Sequence, residues 1–137
     1  MTVPHPAAAG PTWFAIGYAA PLRVLLTALG MGPRVSVVRV DADAIEVRMG
    51  WAFRARIPRT SLHEVRRSRV PALSWGVHGW AGHWLVNGTS RGLVRMTVRP
   101  PATARVCGLR VRLTDLAVSL RHPDRFLTLV DDDRERS

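Results

Sequence analysis

Lysine is missing from this chain of 137 residues: all twenty of its basic side chains are arginine. Cysteine occurs once, at Cys107, and only ten carboxylates stand against the arginines. Each scarcity excludes something. A single cysteine permits no internal disulfide and leaves no C-x-x-C zinc or redox pattern, which fits a reducing cytoplasm. The few carboxylates show no paired set for general acid–base work, and no glycine-rich loop of the phosphate-cradling kind is present. Long hydrophobic runs are also lacking. The most apolar stretch, Trp13 to Met31, is interrupted by Pro21 and carries Arg23, so it does not make the ~20-residue helix that crosses a bilayer. No Lys or Arg precedes it, so the charged start of a secretory signal is absent as well. These features predict a cytoplasmic chain that does not span a membrane.

What is present is apolar surface and positive charge. A hydrophobic fraction of 47%, with five Trp, suffices for one domain that buries roughly 68% of its unfolded surface. The net charge is +10. Choosing Arg over Lys throughout reads as codon usage in a GC-rich genome. The two-to-one excess of bases over acids is a separate matter, and it raises affinity for anionic partners.

Along the chain, residues 1–11 read as a loose arm. Pro21 at a first turn, Leu22, Leu25, Leu26 and Leu29 at helical spacing, and Gly30 as a stop predict a short helix; an extended segment is the alternative. From residue 34 the period becomes two. Ile45, Val47 and Met49 alternate with Glu46 and Arg48, and Phe53, Ala55 and Ile57 alternate with Arg54 and Arg56. Asp41-Ala42-Asp43 reads as a turn. Keeping Met49 and Phe53 on one face fixes a hairpin with the three-residue loop Gly50-Trp51-Ala52. Arg48 then faces Arg54 and Glu46 faces Arg56. The first pair sets like charges side by side, which is destabilising unless an anion joins them.

Thr60–Glu64 reads as a brief helical turn, followed by a basic connector, Arg66, Arg67 and Arg69. His83–Val86 and Gly92–Val98 predict a second hairpin with a loop over 87–91, pairing Trp84 with Val94. Pro100-Pro101 marks a break, and residues 106–113 and 116–120 carry further strand alternation. His122-Pro123-Asp124 opens a C-terminal helix with Phe126, Leu127 and Val130 as its apolar stripe. Residues 131–137 read as a charged, frayed tail. The division expected is therefore an N-terminal arm and apolar segment over 1–33, a β domain over 34–130, and the tail.

The stretches MGWAFRARIPR (49–59), GVHGWAGHWLVNGTSRGLV (76–94) and LAVSLRHPDRF (116–126) resemble a group of small actinobacterial proteins with a pleckstrin-homology-like fold. The resemblance spans about 33–130. It implies a mainly β chain, either an antiparallel barrel or two packed sheets, closed by a C-terminal helix, with a short N-terminal helix or extended arm. That fold hosts lipid, peptide and protein binding alike. Its lipid-binding members gather basic residues at the first strand–strand loop; here that loop is Asp41-Ala42-Asp43, which argues against phosphoinositide binding in that mode.

Two groups of residues stand as candidate ligand sites. Arg48, Arg54 and Arg56 share one sheet face, against the plainer reading of a solvated surface. Trp75, His78, Trp80 and His83, with Trp84, form an aromatic and histidine cluster, against the plainer reading of a packed wide loop. Neither supplies the three or four convergent ligands of a metal centre. Cys107, Ser119 and His122 fit no nucleophile motif. The expected function is a non-enzymatic binding module, without cofactor or metal, that takes a protein partner or acidic ligand on the arginine face. Peripheral association with an anionic membrane surface is the second reading and nucleic-acid binding the third, with self-association through an exposed strand edge as a further route.

Overall fold

A computed structural model describes residues 11–68, 76–80, 82–87 and 92–136; of the arm expected over 1–11, all but Pro11 lies outside this range. Among the described residues, nine strands form one sheet, mostly antiparallel, with a helix near each end of the chain. The strands are β1 (Thr12–Phe14), β2 (Ser36–Val40), β3 (Ala44–Met49), β4 (Phe53–Pro58), β5 (Leu62–Arg67), β6 (Gly76–Trp80), β7 (His83–Asn87), β8 (Leu93–Val106) and β9 (Leu109–Ser119). The helices are α1 (Ala20–Ala28) and α2 (Pro123–Arg136).

Alternation explains the strands. In β3 and β4, Ile45, Val47, Met49, Phe53, Ala55 and Ile57 are buried while Arg48, Arg54 and Arg56 are exposed. The hairpin register is Met49 opposite Phe53, Arg48 opposite Arg54 and Glu46 opposite Arg56, as the parity of the sequence requires. The Asp41 carboxylate closes the β2–β3 turn by accepting the backbone N–H groups of Asp43 and Ala44, at 2.9 and 2.8 Å. Those two bonds hold its pKa below the ordinary carboxylate value.

The long strands β8 and β9 run beside each other and carry the rest. One end of β8 pairs with β4, the other with β5, and β9 pairs in parallel with β7, which pairs with β6. The sheet therefore has two arms joined through β8 and β9 and is not a closed barrel. Three sequence expectations change here. The hairpin over 83–98 does not form: β7 pairs with β6 and β9, so Trp84 lies opposite Gly79 and Leu116 rather than Val94. Pro100-Pro101 does not end a strand, because β8 absorbs both in an irregularity between Thr97 and Ala102. The helical turn after Pro58 covers only Arg59–Ser61, and the expected connector residues Arg66 and Arg67 are strand.

The two arms share one apolar core. Leu26 of α1 and Phe126 and Val130 of α2 reach it, and Phe126 meets Phe14 edge-to-face at 5.2 Å. α2 continues through residues 131–136, which the sequence pattern assigned to a tail. α1 ends in a Schellman motif: Gly30, at φ +81°, and Met31 donate to the carbonyls of Thr27 and Leu26. Of its apolar stripe, only Leu26 is buried among the described side chains; Leu25 and Leu29 are exposed. The N-terminal segment is stitched to β9: Gly17 N–H donates to the Ser119 carbonyl, and the buried Ser119 hydroxyl donates back to the Gly17 carbonyl. Ile16 bridges Leu120 beside them.

Candidate functional site

The solvent-facing side of the first arm gathers arginine. Register propagates the Arg48–Arg54 pair across two more strands, because Arg54 lies opposite Arg105 on β8 and Arg105 opposite Arg110 on β9. Four arginines from four adjacent strands thus form one row. At about 4.8 Å per strand the row spans roughly 14 Å. All four are exposed. Among the described residues no carboxylate pairs with any of them, and their one recorded polar contact is Arg105 to the Gly108 carbonyl at 3.3 Å.

The neighbouring row is different. Arg39 and Arg56 both bind the Glu46 carboxylate, at 3.2 and 3.3 Å, and Arg39 also approaches Asp41 at 3.7 Å. The guanidinium of Arg39 lies over the ring of exposed Trp13, 5.4 Å from its centroid. This row is internally neutralised; the four-arginine row is not. Together they line a groove of about 520 Å³, floored by the two strand rows and closed at one end by Trp13. Such a site suits an anion with several oxygens, since each guanidinium offers a planar fork of donors.

Of the residues singled out from sequence, Arg48, Arg54 and Arg56 are brought together, though Arg56 is already held by Glu46. Arg105, Arg110, Trp13 and Arg39 were missed as site residues. The alternation of Arg105 with Ala104 and Val106, and of Arg110 with Leu109 and Val111, was the available signal; which strands those residues would join was not. Arg66 and Arg67 belong to the other arm, where Glu64 lies 3.6 Å from Arg66 and Asp124 2.6 Å from Arg67. Arg69 lies outside the described residues.

The aromatic and histidine cluster is divided by its own strand. His83 is exposed and faces Asp115 at 3.7 Å, and Asp115 is bound at 2.8 Å by Arg95. Trp84, the next residue, packs on the core side, with its indole N–H buried and without a partner among the described residues. Backbone register sets His78 opposite Leu85 and Trp80 opposite His83; Trp75 lies outside the described residues. Among the described residues no three His, Cys, Asp or Glu side chains gather as metal ligands. Cys107 is exposed, at the tip of the β8–β9 hairpin, and Ser119 is buried in the N-terminal stitch.

Comparison with family models, curated proteins and solved structures finds no match to this chain.

Proposed function

We propose that this protein is a binding module that captures an anionic group on the arginine row formed by Arg48, Arg54, Arg105 and Arg110. The observation that carries the reading is the contrast between adjacent rows. Where an arginine pair on this face needs neutralising internally, Glu46 does it; along the row of four, no carboxylate among the described residues does. Like charges directly opposite one another on a sheet are destabilising, so four in line form a surface that an incoming anion stabilises. The groove and the forked donors favour a group with several phosphate or carboxylate oxygens. The pleckstrin-homology-like assignment belongs to the same proposal. It is supported by the order of antiparallel strands followed by a C-terminal helix against the core; the open sheet and the parallel β7–β9 pair depart from it.

Calorimetry with tripolyphosphate at low ionic strength tests the reading. The expected result is binding that weakens about tenfold or more in Arg54→Gln with Arg105→Gln, since charge-assisted bonds are being removed. Arg56→Gln, already engaged by Glu46, is expected to change it far less. Absence of binding, or binding indifferent to the double substitution, overturns the proposal.

A further inference from the structure

Six of the seven exposed large hydrophobic side chains among the described residues fall on α1, its exit, or two hairpin tips: Val24, Leu25, Leu29, Val35, Trp51 and Leu109. The backbone joins these pieces into one end of the molecule. Cys107 N–H donates to the Ala52 carbonyl at 2.9 Å, tying the β8–β9 tip to the β3–β4 tip. Gly50 N–H donates to Val35 at 3.0 Å, and the Trp51 indole N–H donates to the Leu29 carbonyl at 2.7 Å. With its only donor satisfied inward, the Trp51 ring, 62% exposed, presents apolar surface outward. Leu109 is 72% exposed on the β8–β9 tip, at the end of a two-residue turn in which Cys107 and Gly108 both have positive φ.

Charge is arranged around this end. Arg48, Arg54, Arg105 and Arg110 stand one strand position, about 3.3 Å, below the Met49–Phe53 and Val106–Leu109 pairs that flank the tips. Arg23 on α1 and Arg34 at its exit are exposed, and no Asp or Glu occurs before residue 41. The acids Asp41 and Asp43 lie at the opposite end of β3. The result is an apolar cap, then a row of arginine on one face of the sheet, with the acidic turn at the far end of the strand.

We infer that the anionic partner is a bilayer surface carrying negatively charged lipid headgroups, with Trp51 and Leu109 entering the headgroup boundary and the arginine row meeting phosphates. This rests on the arginine row being an anion site, and goes beyond it by assigning the apolar cap a role. An acidic peptide or nucleic acid would account for the row alone. Exposed Trp and aliphatic side chains beside Arg are what the interface of an anionic bilayer rewards, and each basic residue near such a surface strengthens binding about fivefold. No helix among the described residues is long and apolar enough to cross a membrane, so the association inferred is with the surface.

Vesicle sedimentation tests it, with phosphatidylcholine alone, phosphatidylcholine plus phosphatidylserine, and tripolyphosphate calorimetry in parallel. Expected is binding only to the phosphatidylserine vesicles, weakened about tenfold in Trp51→Ser with Leu109→Ser while tripolyphosphate binding stays unchanged. Leu109→Asp alone, which leaves the Trp51 hydrogen bond intact, is expected to act in the same direction. Tripolyphosphate binding without vesicle binding rejects the bilayer and leaves the anion site standing. Vesicle binding indifferent to both apolar variants rejects entry into the headgroup boundary. A single-stranded RNA bound more tightly than vesicles, and equally by Leu109→Asp, assigns the row to nucleic acid instead. Binding to none of these probes removes the anion site and this inference with it.

Discussion

Arg54 and Arg56 sit two residues apart on the same face of β4, share a side-chain chemistry, and are both exposed, yet their removal is expected to change stability in opposite directions. Arg54 lies directly between Arg48 and Arg105. Replacing it with Gln removes two like-charge neighbours, each worth roughly 0.2–1 kcal/mol on a sheet surface. Screening over a Debye length of about 10 Å at 0.1 M salt reduces the pair to a net gain of about 0.5–1 kcal/mol. For a chain of this size that corresponds to roughly 2–4 °C in Tm. Arg56 instead holds Glu46 at 3.3 Å. Its replacement by Gln forfeits an exposed ion pair of about 0–1 kcal/mol and lowers Tm slightly. Thermal melts at low salt, repeated at high salt, read both. The Arg54→Gln gain shrinks as salt rises, because the repulsion it relieves is screened. Added tripolyphosphate raises the Tm of the wild type more than that of Arg54→Gln, since a ligand stabilises only the state that binds it. If Arg54→Gln melts lower than the wild type at low salt, the row is not repulsive, and the argument from uncompensated charge fails.

Other expectations concern the frame that holds the row. Phe126→Ala, which empties a fully buried site against Phe14, is expected to cost about 3–5 kcal/mol by urea denaturation; a loss under 1 kcal/mol would mean that α2 does not close the core. Gly50→Ala places a Cβ against the Gly30 carbonyl at a backbone φ of +54°, so it should destabilise the β3–β4 tip by more than about 1 kcal/mol, whereas Cys107→Gly relieves a positive φ and should be neutral or mildly stabilising. The lowered Asp41 pKa means that its contribution is present above the unfolded carboxylate value of about 3.9 and is lost as pH falls through the lower folded value. Asp41→Asn keeps an oxygen for the turn but has no charge to lose. Its urea midpoint should therefore approach that of the wild type on acidification, and a gap that stays constant with pH would contradict the assignment.

Local pattern carried the reading of sequence as far as local pattern governs structure. The β3–β4 register was legible because side chains alternate strictly and a three-residue loop fixes the parity of Met49 and Phe53. The Asp41 turn and the Pro123 start of α2 were legible for similar reasons, being set within four residues. The other half of the row was not, because nothing local joins Arg105 to Arg54, fifty-one positions earlier. That pairing is decided by how β8 and β9 distribute their ends between two arms. Pro100-Pro101 hides the continuity of β8, and the loop expected over 87–91 competes with the actual β6–β7 hairpin that turns at Gly82. In α1 the helical spacing is legible but which leucines it buries is not: Leu26 packs inward while Leu25 and Leu29 face outward.

The stitch between Gly17 and Ser119 orders events during synthesis. Its two halves are separated by 102 residues, and closing so long a loop gives no return until β9 exists. The β3–β4 hairpin, built from neighbours in sequence, has its partners long before that. On a ribosome making roughly 5–20 residues per second, Arg48 and Arg54, and β1 on β2, therefore have their partners several seconds before the Gly17 backbone has Ser119 to fasten to. In that interval Ile16 and Gly17 lack the Leu120 and Ser119 partners that hold them in the finished fold, the period in which a chaperone has its best access to them.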